Sequence, residues 1–388
     1  MNSVHLVIPD LFLPKDICAE AVAGLYLPAL QMMLGRGQSM VIDPVPLENV
    51  LCEIFGMPDL PDAPIAPVAA AFDGLAAGCW LRADPVNLDL QRDRLLLNTV
   101  PVRNEESAAM CASLNDHFAG QGMEFFAPHP QRWYVRLNVL PRMRTVPLSQ
   151  VVGSDVRMHL PSGEDAVRWH QVLNEMQMLL SAHPINETRQ ARGEPTINSV
   201  WFWGAGCDSA IGSLRSSGQP IGLPLAGALL EKPAVCGSTQ QAAATSTEEA
   251  AASSFGGGYG MRVSPQNKYD MVISDDALTE MLAWFADCPF SAWTGEWRDE
   301  PANGRQLLVW TGLRAALLRG DLVAWRTALQ DFETGYAQPI WQALKSGQIC
   351  GVQVDILGSE KMQSARLSRG NTWAFWRHSK RLADYSLV

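Results

Sequence analysis

HPINETRQARGEPTINSVWFWGAG, residues 183–206, is the stretch whose reading decides the fold. Pro184 marks the end of the helix that precedes it, because its ring removes a ladder N–H. Asn186 is placed to cap a short polar helix carrying Arg189 and Arg192, its side-chain oxygen accepting from a first-turn N–H. Residues 198–203 are an aromatic-rich run of strand character, and Gly204-Ala205-Gly206 predicts a turn after it. Helices alternating with strands point to an α/β chain in which helices cover a mostly parallel sheet.

Upstream, Ser162 and Asp165 fit an S-x-x-D capping box, and Trp169, Leu173, Met176 and Leu180 recur at helical spacing as an inward stripe. Residues 79–81, 95–97, 123–126 and 133–137 read as strands, with a helix over 105–118 between them; this predicts a small α+β insert. Pro58, Pro61, Pro64 and Pro67 predict a stiff extended link ahead of it. Residues 4–8 form a short apolar strand closed by Pro9. Residues 16–34 carry helical spacing that stops at Gly35 and Gly37, and residues 47–55 predict a helix ended by Gly56. Downstream, residues 239–258 are low in complexity; 276–285, 307–318 and 322–344 are helical or mixed; 351–357 is a late strand. The expected organisation is a core domain of residues 1–75 plus 200–388, interrupted by an inserted domain over 76–196.

With 388 residues, 47% hydrophobic and 18% charged, the chain has the make-up of a globular protein large enough for a core and an insert. A net charge of −10 argues against nucleic acid as a partner, which needs a positive face. The basic group Lys361, Arg366, Arg369, Arg377, Lys380 and Arg381 reads as a solvated surface. Eight cysteines without a C-x-x-C pair predict free thiols in a reducing cytoplasm, not a disulfide frame. The start, MNSVHLVIPD, shows no signal-peptide pattern, and no apolar run approaches the roughly 20 residues that span a bilayer. A cytoplasmic protein without a membrane partner is expected. Residues 256–260, GGGYG, lack the Lys-Ser/Thr of a phosphate-binding loop and read as linker. His129 and His170 have no convergent partner in sequence. Trp293, Trp297, Trp373 and Trp376 suit either a groove or ordinary packing.

The pattern H-P-I-N-x-x-R-x-x-x-G-x-P-x-I-N followed by W-G-A-G resembles the archaeal-type cofactor-independent phosphoglycerate mutases, members of the alkaline phosphatase superfamily. The resemblance continues in the same order through WLRADPVNLDLQRDR (80–94), RWYVRLNVL (132–140) and PLSQVVGSDVRMHLPSG (147–163). At the N-terminus it includes VHLVIPD and LPALQMMLGRG. It covers about half the chain, and the 183–206 motif is its most specific part. A proteobacterial group of the same look is known either as phosphoglycerate mutase or as a regulatory protein. The resemblance implies an alkaline phosphatase-like sheet with an insert. It also implies that Arg82, Arg92, Arg94, Arg132, Arg136, Asn186 and Arg189 hold a small phosphorylated or carboxylate ligand. A guanidinium suits that task, since it binds an oxyanion with two parallel hydrogen bonds.

The departures concern the metals. The family's reaction uses two divalent ions and a serine nucleophile. Its first-strand Asp precedes a Gly, whereas Asp10 precedes Leu11. Its nucleophile stands nine residues before a Gly; counting back from Gly56 reaches Leu47, followed by Glu48, and a leucine cannot attack phosphorus. Asp355 matches the Asp of a D-H strand, but Ile356 stands where the histidine belongs. Only His378 follows His183. The expectation is therefore a diverged phosphoglycerate mutase-like protein with no catalytic residues and no cofactor, acting in binding or regulation, with no protein partner implied. The alternative is an active mutase or phosphomonoesterase holding two divalent metals, Mn or Zn, with Asp10, Glu48 and Asp355 as candidate ligands.

Overall fold

A computed structural model describes residues 2–13, 15–57, 62–208, 269–300, 304–374 and 382–386. The strands in chain order are β1 (Ser3–Pro9), β2 (Gln38–Ile42), β3 (Cys79–Gln91), β4 (Arg94–Thr99), β5 (Met123–His129), β6 (Arg132–Leu137), β7 (Met143–Arg144), β8 (Ser162–Gly163), β9 (Ser199–Cys207), β10 (Met271–Ser274), β11 (Phe290–Ala292), β12 (Arg305–Val309), β13 (Gly351–Leu357) and β14 (Met362–Ser368). They form a seven-stranded sheet in the order β11-β10-β12-β1-β13-β14-β2 and a five-stranded sheet, β4-β3-β6-β5, with β9 also paired to β3. In the larger sheet β11, β10, β12, β1 and β13 run parallel, and β14 and β2 close it antiparallel. The fold class is α/β, with helices against both faces of a mostly parallel sheet.

Side-chain alternation explains the layers. In β1, Val4, Leu6 and Ile8 face helices Pro28–Arg36, Leu322–Phe332 and Gln338–Ser346. Val7 faces the opposite way, into a core shared with helices Leu47–Ile54, Ile65–Phe72 and Ala277–Phe285. A strand buried on both faces needs apolar residues at successive positions, which the run VHLVIP supplies. In β9, Trp201 and Trp203 join that same core, whereas Val200 and Phe202 meet helices Asn104–His117 and Ala166–Ser181. Helix Ile65–Phe72 packs against β3 and β9 of the second sheet and against helix Ala277–Phe285, which covers β10 of the first.

Several local expectations are revised. Residues 16–34 are not one helix: Lys15–Ala21 and Pro28–Arg36 are separated by a turn containing Gly24 at φ 69°, and Pro28 opens the second. Pro64 and Pro67 begin helix Ile65–Phe72, where a missing N–H costs nothing; Pro58 and Pro61 lie outside the described residues. Asp165 occupies the N-cap position of helix Ala166–Ser181, but its carboxylate accepts from the Arg142 N–H at 2.7 Å, and Ser162 lies in β8, so no capping box forms. Gly204 and Gly206 do not turn the chain. They stay within β9, with Gly204 at φ 72° where the pairing with β3 slips one residue. Pairing places 199–207 in the five-stranded sheet. Cys79 and Cys207, expected as free thiols, form a disulfide. Sequence spacing could not reveal it, because the partners meet only when β3 and β9 pair. Trp293 stacks on Tyr336, with ring centroids 3.9 Å apart, and on Trp310, while Trp297 is buried with its Nε1 donating to Gln306 at 2.7 Å. Trp373 is exposed. The linker at 256–260 and the low-complexity segment at 239–258 lie outside the described residues, as do Trp376, Arg377, His378, Lys380 and Arg381.

Candidate functional site at the carboxyl end of the parallel strands

Open α/β sheets bind ligands beyond the carboxyl ends of their strands. Here Asp10 follows β1 with φ 62°. Its N–H donates to the Leu357 carbonyl at 2.9 Å, and its Oδ2 accepts from Nε of Arg314 at 2.9 Å. Beyond β10, Asp275 accepts from the N–H and hydroxyl of Thr311 at 2.7 and 3.2 Å, and Asp276 caps helix Ala277–Phe285. Glu48 comes from the first turn of helix Leu47–Ile54 and is 4% exposed. Its Oε2 has no hydrogen-bond partner among the described residues. Burial holds the Glu48 carboxyl above its ordinary 4.5, against the opposing pull of the nearby Ser149 hydroxyl and Arg314, and Asp276 adds to the rise. Beside this helix opens a pocket of about 140 Å³ whose walls include Asn49, Asp62, Thr145, Gln150 and Gly204. Asp62 accepts from the N–H and hydroxyl of Thr145 at 2.6 and 3.0 Å, and burial keeps its carboxyl above the usual range.

Asp355 is not part of this group. It lies opposite Val7 in mid-strand. Its Oδ2 accepts from His5 Nε2 at 2.6 Å and Gln353 Nε2 at 2.9 Å, and its Oδ1 from the Ser364 hydroxyl at 2.6 Å. Burial alone would raise its pKa; the bonds from His5, Ser364 and Gln353 outweigh burial and hold it below 3.8. His5 Nδ1 lies 2.7 Å from the Tyr269 hydroxyl, completing a buried relay. Asp10, Glu48 and Asp355 therefore do not fit two divalent ions. Asp355 is occupied by protein donors, Asp10 faces a guanidinium, and burial works against the charged form in which Glu48 would bind a metal. Among the described residues no group of three or more His, Cys, Asp or Glu is placed to hold a metal.

The arginines do not converge on one anion site. Arg82 is buried, paired with Asp84, and lies over the rings of Tyr134 and Trp203 at 5.1 and 5.3 Å. Arg132 grips Asp73 with two bonds of 2.9 and 2.6 Å, and the same carboxylate accepts from the Tyr134 hydroxyl. Arg82 and Arg132 thus share one neutralised cluster. Arg136 pairs with Glu124 at the surface. Arg92 and Arg94 are exposed at the β3–β4 turn, Arg92 with φ 52°. Arg189 is fully buried, donating to the carbonyls of Pro195 at 2.7 Å and Pro101 at 3.0 Å and to Glu106 at 2.7 Å.

The 183–206 motif is accordingly a clamp. His183, not Asn186, caps helix Pro184–Ala191: its Nδ1 accepts from the Ile185 N–H at 3.3 Å, and Pro184 occupies the first helical position. Asn186 sits inside that helix, buried, and joins it to the start of β9. Its amide donates to the Leu180 and Ile197 carbonyls at 2.7 and 2.9 Å and accepts from the Ile197 N–H at 2.8 Å. Asn198 does the same for β3, exchanging bonds with the backbone of Leu88. His170 donates to the Pro161 carbonyl at 2.8 Å. His129 is partly buried, its Nδ1 accepting from the Gln131 N–H at 3.2 Å, and burial lowers its pKa. The sequence reading missed His5, Arg314 and Asp62. His5 did leave a signal, being the lone polar residue in an apolar strand, which demands a buried partner.

No protein-family model matches the chain. Over 129 residues it is 30% identical to the probable 2,3-bisphosphoglycerate-independent phosphoglycerate mutase of Geobacter sulfurreducens, covering 32% of each protein. Over 105 residues it is 29% identical to the 2,3-bisphosphoglycerate-independent phosphoglycerate mutase of Methanothrix thermoacetophila, covering 27% of this chain and 26% of that one. The chain is phosphoglycerate mutase-like. The match spans between about a quarter and a third of the length of these curated relatives. The PH0037 protein of Pyrococcus horikoshii shares the fold, with a TM-score of 0.51 and 13% identity over 99% of this chain and 92% of that one. Within this phosphoglycerate mutase-like chain, the most specific motif of the resemblance holds the second sheet together.

Proposed function

We propose that this phosphoglycerate mutase-like protein does not carry out two-metal phosphotransfer and works as a cytoplasmic binding or regulatory protein. The observation that carries this reading is the occupation of the candidate ligands: Asp355 by His5, Gln353 and Ser364, and Asp10 by Arg314. Leu47, buried at the nucleophile position, supplies no attacking atom. The ligand class implied by the resemblance is a small phosphorylated or carboxylate molecule. The pocket is smaller than the roughly 300–1,000 Å³ typical of drug-sized ligands, so only a compact molecule fits it. No helix among the described residues is long and apolar enough to cross a membrane.

The rival reading, an active metal-dependent mutase or phosphomonoesterase, draws on the acidic side chains Asp10, Glu48, Asp275 and Asp276 at one end of the sheet. Elemental analysis of purified protein, with an assay for interconversion of 3- and 2-phosphoglycerate, separates the two. We expect neither stoichiometric Mn or Zn nor turnover. Tightly held metal accompanied by mutase activity would establish the rival.

A further inference from the structure

Cys79 opens β3, Cys207 closes β9, and the antiparallel register sets them directly opposite one another. They are joined across a Cα–Cα separation of 4.0 Å and a sequence separation of 128. This is where the chain enters and leaves the five-stranded sheet. Just outside the bond, the Asp208 N–H donates to the Gly78 carbonyl at 3.2 Å and the Asp208 carboxylate accepts from the Gly78 N–H. Just inside it, the ladder slips between Trp80 and Arg82. One residue before Cys207, Gly206 abuts Pro64 and Pro67, and Gly204 forms part of the pocket wall. Both bonded cysteines are half-buried, within reach of a small reagent, whereas Cys18, Cys52, Cys111 and Cys288, outside any disulfide, are buried.

We propose that Cys79–Cys207 is a redox switch. Oxidised, it fastens the ends of β3 and β9 and the pocket wall that β9 carries; reduced, it lets those ends fray. The oxidant is a low-molecular-weight disulfide such as glutathione disulfide. One thiolate of the pair attacks a sulfur of that reagent, forming a mixed disulfide and expelling one reagent thiolate. The other cysteine, as thiolate, attacks the mixed disulfide, closes the protein bond and expels the second reagent thiolate. Two electrons pass from the protein to the reagent, and two reagent thiols can reverse the exchange. The inference rests on this cysteine pair alone, so it stands or falls separately from the loss of phosphotransfer.

The 388-residue chain is equilibrated across graded ratios of glutathione to its disulfide. Free thiols are trapped by alkylation and located by mass spectrometry, and amide exchange is followed on the same samples. Cys79 and Cys207 should titrate together in one transition. On reduction, exchange at residues 78–82 and 203–208 should accelerate about tenfold while β1, β12 and β13 stay protected. C79S/C207S should exchange fast at every ratio, and C350S should leave the transition in place. If the double variant fails to fold, the reduced wild type provides the same comparison. A pair locked in one state at all ratios, or equal exchange in both states, overturns the proposal.

Discussion

Arg189 directs its guanidinium to two carbonyls and one carboxylate, leaving no fork for a ligand. Removing it leaves two buried carbonyl groups without their donor and takes from the buried Glu106 its bond from Arg189, leaving only those from Arg103, so Arg189→Met should destabilise the fold by about 3 kcal/mol in denaturant titration. Arg189→Lys should not restore it, because an ammonium cannot reach three acceptors held in a plane. Glu48 carries the opposite lesson. Its folded-state pKa is raised by burial, so its stabilisation is complete below the ordinary 4.5 and is lost as pH rises through the raised value. Glu48→Gln should therefore unfold later than wild type at about pH 8 and match it at about pH 4. A wild-type advantage at the higher pH would mean that Glu48 is ionised and paired.

β9 is the element on which the architecture turns. Its alternating Val200, Trp201, Phe202 and Trp203 divide between two cores, and its Gly206 approaches another element closely. A Cβ at Gly206 would stand 3.0 Å from both Pro64 Cβ and Pro67 Cγ. Gly206→Ala should cost about 1–3 kcal/mol, seen as a lowered Tm. The strand itself was legible in the aromatic run, as were the helices around Trp169 and Glu105, because periodicity within one element is local. The glycine pair was misread, since a bulge and a turn use the same residue and only the pairing partner distinguishes them. The relay at Asp355 was not legible: His5 and Asp355 stand 350 residues apart and meet only across β1 and β13. Arg314 lies in a segment read as helical or mixed, and no spacing ties it to Asp10.

At the scale of the molecule, helix Ile65–Phe72 packs on β3 and β9 and on helix Ala277–Phe285, and one apolar core joins it to Val7 and Val309 of the larger sheet and Trp80 and Trp203 of the smaller. The larger sheet ends at β2, whose five residues are all exposed, with Met40, Val41 and Ile42 among them. Such a border offers a second molecule both a backbone to bond and grease to bury, with no lysine or proline inside the strand to discourage it. The surplus of ten negative charges opposes such pairing between copies by long-range repulsion. Salt shortens its reach to about 8 Å at physiological strength. Colloidal behaviour should thereby follow ionic strength, and light scattering should register more association between copies as salt is added.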